Sequence, residues 1–282
     1  MNKVLESKLK SLSLKVREHI IKMSGNGGCF IGASLSAVDV LTYLYSEKLI
    51  FKNKGKDRDY FFLSKGHDVP ALYGLFAELG MFDVRRLSNH LSTKDHIYWH
   101  PNTNINGVEF HSGSLGHLLP VAVGVALDLK IENSKRKVYV MTGDGELNEG
   151  SNWEAMLVAS AYKLDNLVII VDRNQFQANV MTEDLIPLEP LKDKFESFGA
   201  KSISINGHDF LEIEKSFKNI PLQTNSPTVI IANTIRGKGL PSIEARADRW
   251  FCNFSDTEIK GLLRELHGES AAKITSKKLT VR

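Results

Sequence analysis

Apolar positions along this chain follow two spacings. Near the start, Leu5, Leu9, Leu12, Val16, Ile20 and Met23 fall three or four residues apart, as on one helix face, and Ser24-Gly25-Asn26-Gly27-Gly28 ends the pattern. Val38, Leu41, Leu44 and Tyr45 repeat the helical spacing, with Gly32, Ala33 and Ser34 read as a small-residue turn and Ser36 as an N-cap. After a polar loop at 52–59, Tyr60-Phe61-Phe62-Leu63 predicts a short buried strand, Ser64-Lys65-Gly66-His67 a turn, and a helix follows from about Val69. Residues 83–113 read as loop. From His117 a helix rich in Ala, Val, Gly and Leu is apolar nearly all round, which predicts burial at an interface or between layers.

The second half alternates more regularly. An apolar run at 138–142 closes on Gly143-Asp144-Gly145, a helix starts near Ser151, and a second apolar run ends at Asp172, so that the stretch reads as a βαβ unit. A helix at 192–198, a strand at 200–205, a turn at Asn206-Gly207-His208-Asp209, a helix at 211–218 and a strand at 227–233 continue the pattern. This alternation predicts an α/β fold with a parallel central sheet flanked by helices on both faces. The expected division is one domain over residues 1–254, with 255–282 as a C-terminal helix and basic tail.

Composition narrows the class. With 282 residues, 42% hydrophobic and 24% charged, the chain is long enough to bury a substantial core. A formal charge of +3 without a dense basic block gives no reason to expect nucleic acid. The longest apolar run, 118–127, contains Pro120 and is about half the length of a membrane span, and the charged start does not read as a signal peptide; a cytoplasmic protein with no membrane partner is expected. Two cysteines, Cys29 and Cys252, make no disulfide framework and read as small buried hydrophobes. His90, His96, His100 and His111 lack a regular ligand spacing and have no thiols among them, so no zinc cluster is expected.

The candidate chemistry lies at the strand ends. Parallel strands bring their carboxyl ends to one sheet edge, so Asp144 after one strand and Asn174 after the next, about thirty residues on, can converge on a single ligand. Gly143 and Gly145 allow close backbone approach to a phosphate, and the Asp144 carboxylate and Asn174 amide oxygen are hard donors suited to Mg²⁺, with Ca²⁺ or Mn²⁺ as substitutes. A metal plus a diphosphate is the site implied.

GDG ending a strand, followed at crossover distance by Asn, resembles the fingerprint of the thiamine diphosphate enzymes. SKGHDVPALYG and HPNTNINGVEFHSGSLGHLLPVAVGVAL are similar to further stretches of the transketolase family, in the family's order, and the likeness runs from about Leu12 to Asn253. The resemblance implies the thiamine diphosphate-binding fold of the diphosphate-binding domain. It also implies His67 and His100 as cofactor- and substrate-site histidines, and Gly113, Ser114 and Leu115 as the loop against the cofactor. Asp144, Gly145 and Asn174 would bind diphosphate and metal, with the Phe176 carbonyl as a further metal ligand. Glu149 would be a carboxylate meeting the partner's catalytic glutamate, its helix lying at the dimer interface. Gly207-His208-Asp209 is expected to be structural, and the glycine-rich loop Arg236-Gly237-Lys238-Gly239 resembles one that lies beside the family's active site.

The chain also departs from the pattern. Two family histidines are replaced, by Phe30 and by Phe251, Ser114 stands for a proline, and His117 stands where glutamine is common. Losing two imidazoles removes hydrogen bonds worth roughly 0.5–1.5 kcal/mol each and predicts a changed donor or acceptor. The family's activating glutamate belongs to a pyrimidine-binding domain that has no counterpart here. The resemblance therefore implies the N-terminal half of a split transketolase, paired with a separately encoded C-terminal subunit in an α2β2 assembly. It would move a two-carbon ketol unit between sugar phosphates, with specialised carbohydrate biosynthesis as the expected setting. A subunit of another thiamine diphosphate enzyme using a 2-keto acid such as pyruvate, and a noncatalytic cofactor-binding subunit, are the alternatives.

Overall fold

Strand alternation sorts the apolar residues onto two faces of one sheet. In the computed structural model, which describes residues 1–51 and 57–276, the elements in chain order are α1 (Lys3–Met23), α2 (Ile31–Tyr43), β1 (Tyr60–Leu63), α3 (Val69–Glu78), α4 (Leu118–Ile131), β2 (Val138–Gly143) and α5 (Gly150–Ala161). There follow β3 (Leu167–Arg173), β4 (Phe176–Gln177), β5 (Val180–Met181), α6 (Thr182–Leu185), α7 (Leu191–Ser197), β6 (Lys201–Asn206), α8 (Phe210–Lys218), β7 (Thr228–Asn233) and α9 (Asp256–Leu266). The central sheet has five parallel strands in the order β1-β2-β3-β7-β6. Phe61, Tyr139, Met141, Val168, Ile170 and Ile230 share one core with α1, α2, α3 and α8. Phe62, Val140, Ile169, Val171 and Val229 share the other with α4, α5 and α7. Strands covered on both faces need apolar side chains on both, so β2 and β3 read as continuous hydrophobic runs.

Helix starts follow local chemistry, with one exception to the expected pattern. The Asn2 side chain caps α1 by accepting from the Leu5 N–H at 2.8 Å, and Ser255 with Glu258 forms a capping box on α9. For α2, Ser36 is not the N-cap. The helix begins at Ile31, with Phe30 at the cap position, and Gly32, Ala33 and Ser34 are helical rather than a turn. Packing explains the difference: a Cβ on Gly32 would stand 2.8 Å from Arg236 Nε, so the small residues let the first helical turn seat against that guanidinium. Ser36, inside the helix, donates to the Ala33 carbonyl at 2.7 Å and to Asp172.

On α4 the apolar character proves two-sided. Leu118, Leu119, Ala122 and Ala126 are buried, while Pro120, Gly124 and Ile131 are exposed; α5, which packs on α4, exposes Leu157 and Val158. Helix α9 packs on α1 with Leu262 in the same core, and Glu258 accepts from the Thr275 and Ser276 N–H groups. Lys277, Lys278 and Arg282 of the basic tail, and the polar loop at 52–56, lie outside the described residues. No helix among the described residues is long and apolar enough to cross a membrane.

Candidate active site

The carboxyl edge of the sheet brings Asp144 and Asn174 together as neighbouring strand ends, since Gly143 pairs with Asp172 in register. Asp144 Oδ1 accepts from the Gly145 N–H at 2.8 Å, and Oδ2 accepts from the Gln175 N–H at 2.6 Å and from Arg173 Nη1 at 3.0 Å. The carboxylate is 1% exposed, and burial outweighs the nearby Arg173 charge to lift it to about 6. Asn174 Oδ1 accepts from the Phe176 N–H at 3.0 Å, while its amide nitrogen donates to Asp172 at 3.1 Å and to Ser36 Oγ at 3.3 Å. A Cβ on Gly145 would come within 2.7 Å of Gln177, so only glycine lets β4 cross this turn.

Beneath this pair sits a buried ionic layer. Lys65 Nζ lies 2.7 Å from Asp68 Oδ2 and also contacts Asp172, which accepts in addition from Thr234. Burial opposes the Lys65 charge, but the two aspartates outweigh it and hold the ammonium form. Asp68 Oδ1 makes no hydrogen bond and stands 3.6 Å from His67 Nε2. Asp68 is fully buried and its carboxyl is pushed up to about 7; burial and the adjacent Lys65 pull His67 down to about 3, so this imidazole is neutral.

Above the layer is a cavity of about 360 Å³. His67, His100, Gly113, Leu115, Asn174 and Phe176 line it together with Lys65, Asp144, Glu146 and Arg236. One end is aromatic: the Phe30 ring lies 5.0 Å from Trp250, 5.5 Å from His67 and 5.2 Å from Phe251. His100, pulled below its ordinary range by burial, meets Gly113 closely, where a Cβ would fall 2.7 Å from the ring. The loop is tied to the GDG turn by Glu146, which accepts from Gly116 N–H at 2.9 Å, from Gly143 N–H at 3.1 Å and from Ser64 Oγ.

Three expected site residues lie off the cavity wall. Ser114 is exposed, with its hydroxyl 3.3 Å from His117 Nδ1. Glu149 is the exposed N-cap of α5. Phe251 meets Phe30 and Trp99 edge-on, while its neighbour Trp250 lines the cavity. Arg236, Glu146, Lys65, Asp68 and Trp250 are the residues that sequence reasoning missed. Of these, Arg236 lay in the glycine-rich basic loop, and Lys65 and Asp68 in SKGHDVPALYG, stretches already singled out in the sequence.

The donor set fits a diphosphate with a divalent cation. Arg236 is 2% exposed, and its Nε and Nη2 have no hydrogen-bond partner; Nη1 donates to the Ala178 carbonyl at 2.6 Å. Burial pulls the guanidinium down to about 10, and an anion in the cavity would satisfy both free donors. Asp144 Oδ1 and Asn174 Oδ1 each carry one N–H and keep a lone pair, and a cation would relieve the burial that lifts Asp144.

Comparison with known proteins gives the family. Residues 15–275 match the family model of the transketolase thiamine diphosphate-binding domain. The chain is 39% identical over 271 residues to an apulose-4-phosphate transketolase subunit from Actinobacillus succinogenes, covering 94% of this chain and 96% of that one. It is 35% identical to a 6-deoxy-6-sulfo-D-fructose transketolase subunit from Clostridium sp., over 86% of this chain and 90% of the relative. Among solved structures, transketolase from Campylobacter jejuni superposes with a TM-score of 0.82 at 28% identity, covering 95% of this chain and 42% of that one; the chain thus spans less than half the length of that enzyme. With its strand-end Asp and Asn, its lining histidines and a family match over most of its length, this chain belongs to the transketolase family, as a thiamine diphosphate-binding domain.

Proposed function

We propose that this chain is the diphosphate-binding subunit of a split transketolase that moves a two-carbon ketol unit between sugar phosphates. The observation that carries the reading is the meeting of Asp144 and Asn174, from two strand ends, with the unpartnered donors of Arg236 in one cavity. Asp144, Asn174 and the Phe176 carbonyl would hold Mg²⁺, and Arg236 with the GDG turn would hold the diphosphate. Thiamine diphosphate, when bound, supplies the carbanion that takes up the two-carbon unit. His67 and His100, both kept neutral by burial, present hydrogen bonds to substrate oxygens without adding charge. Phe30 and Trp250 keep water from that end of the cavity.

A separate pyrimidine-binding subunit would supply the activating glutamate and meet Glu149, whose exposed position at the head of α5 suits a contact across an interface. The exposed apolar residues of α4 and α5 support assembly through this side, as α2β2. The names of the two relatives, both transketolase subunits for unusual sugars, favour a donor or acceptor outside the ordinary pentose phosphates. The aromatic wall favours a second reading, a 2-keto acid donor, because such a donor presents fewer hydroxyls for the missing imidazoles.

Calorimetric titration of thiamine diphosphate with Mg²⁺, with and without the partner, tests this reading. Binding that needs both chains and is lost in Asp144→Ala supports a composite site. No binding when the two chains are shown to associate refutes it. Turnover of xylulose and ribose phosphates at full transketolase rates would refute the altered specificity.

A further inference from the structure

We infer that His208 is a positioning residue for Arg236, acting through a carboxylate clamp centred on Asp39; this rests on the reading of Arg236 as an anion-binding group. The loop after β7 receives a bond on each side of Arg236. On one side, the Ile235 N–H donates to His208 Nε2 at 2.8 Å. Because Nε2 accepts, the ring proton sits on Nδ1, which donates to Asp39 Oδ2 at 2.8 Å. On the other side, Arg17 Nε donates to the Lys238 carbonyl at 3.1 Å, while its Nη1 and Nη2 grip Asp39 at 2.9 and 2.7 Å. One carboxylate from α2 therefore holds both ends of the segment that carries Arg236, through α1 and through the turn before α8.

The clamp is built to stay fixed. Burial raises the Asp39 carboxyl, but the Arg17 charge and the His208 bond outweigh it, so Asp39 is ionised throughout the ordinary pH range. A third tie, from the Gly237 N–H to the Gly32 carbonyl at 2.8 Å, sets the loop against the start of α2, where Gly32 leaves room for the Arg236 side chain. The Arg236 guanidinium is tied to the Ala178 carbonyl through Nη1 and lies over Phe176, and the clamp fixes the backbone from which that 2%-exposed side chain extends. The groups that face His208 and this clamp are Arg17 and Lys10 from α1, Asp39 from α2, the neighbouring Asp209 and Lys238 of the loop.

Hydrogen–deuterium exchange on the full chain tests the clamp directly. In His208→Ala the peptide over residues 234–239 is expected to exchange about tenfold faster, the loss of one hydrogen bond, while α8 and β7 exchange as in the wild type. His208→Gln, whose side-chain carbonyl can accept from Ile235, restores protection. Inorganic pyrophosphate binding follows the same order, about tenfold weaker in His208→Ala and recovered in His208→Gln. Unchanged loop exchange in His208→Ala, or a His208→Gln loop that exchanges as fast as His208→Ala, would overturn the clamp. Arg236→Met separates the two layers of argument. If it binds pyrophosphate like the wild type, the anion site fails and loop exchange alone decides the clamp.

Discussion

The rings of Phe30 and Trp250 meet with centroids 5.0 Å apart and planes tilted by 51°, joining the residue before α2 to the loop before α9 across the mouth of the polar cavity. Both rings stand on a backbone bridge in which Cys29 and Cys252 exchange N–H···O bonds of 3.0 Å. The apolar end of the site is thus assembled from the two ends of the chain and held by main-chain hydrogen bonds.

Phe30→His returns an imidazole to this wall, near His67 and His100. The expected outcome is a rise of about tenfold in kcat/KM for ordinary pentose phosphates relative to the native substrate, from one recovered hydrogen bond. Steady-state kinetics of the complex with both substrate classes checks it; an unchanged ratio means that Phe30 does not set specificity.

Arg236→Met removes two free donors but keeps the stem beside Phe176, over whose ring the guanidinium lies at 5.1 Å. Charge-assisted bonds are worth about 1.5–3 kcal/mol each, so losing two should lower thiamine diphosphate affinity by about 10²- to 10⁴-fold, with Arg236→Lys intermediate. Titration calorimetry gives the comparison.

Asp144→Asn should abolish Mg²⁺-dependent cofactor binding and leave the chain folded. Arg173 loses one partner but keeps Thr182, Glu183 and Glu189, so no bare buried cation remains. Circular dichroism and a metal titration on one sample separate the two effects.

Asp68 gives the fold a pH dependence. Its carboxyl is lifted to about 7 by burial, so the folded chain keeps a proton that the unfolded chain loses near pH 4. By linkage, stability falls as pH rises from about 4 to about 7, by on the order of 2–4 kcal/mol, and is level above. Asp68→Asn lacks that slope and should gain on the wild type between pH 5 and pH 8. Melting curves at the two pH values test the sign.

Gly116 has a φ of +81°, and a Cβ there would stand 2.6 Å from Glu149 Cβ. Gly116→Ala should cost about 1–3 kcal/mol and loosen the loop from the GDG turn. Denaturant melts give the cost, and a loss of cofactor affinity larger than the stability change would separate the two effects.

Local chemistry by itself determined the elements and the strand-end chemistry. Period-two and period-3.6 patterns depend on which neighbours lie a few residues away, so the parallel sheet, its two helical layers and the places of Asp144 and Asn174 were legible. The small-residue start of α2 was misread as a turn, because its cause, the Arg236 side chain lying against Gly32, is distant in sequence. For the same reason the cavity's working set was only half visible. Which of Glu146 and Glu149 turns inward, which of Trp250 and Phe251 faces the cavity, and which cations meet Asp68 and Asp172 are decided by contacts between strands and loops far apart in the chain. Burial converts those contacts into chemistry. A carboxyl or guanidinium is ordinary in water, and only the three-dimensional packing leaves Asp68 protonatable near neutrality and Arg236 with donors to spare.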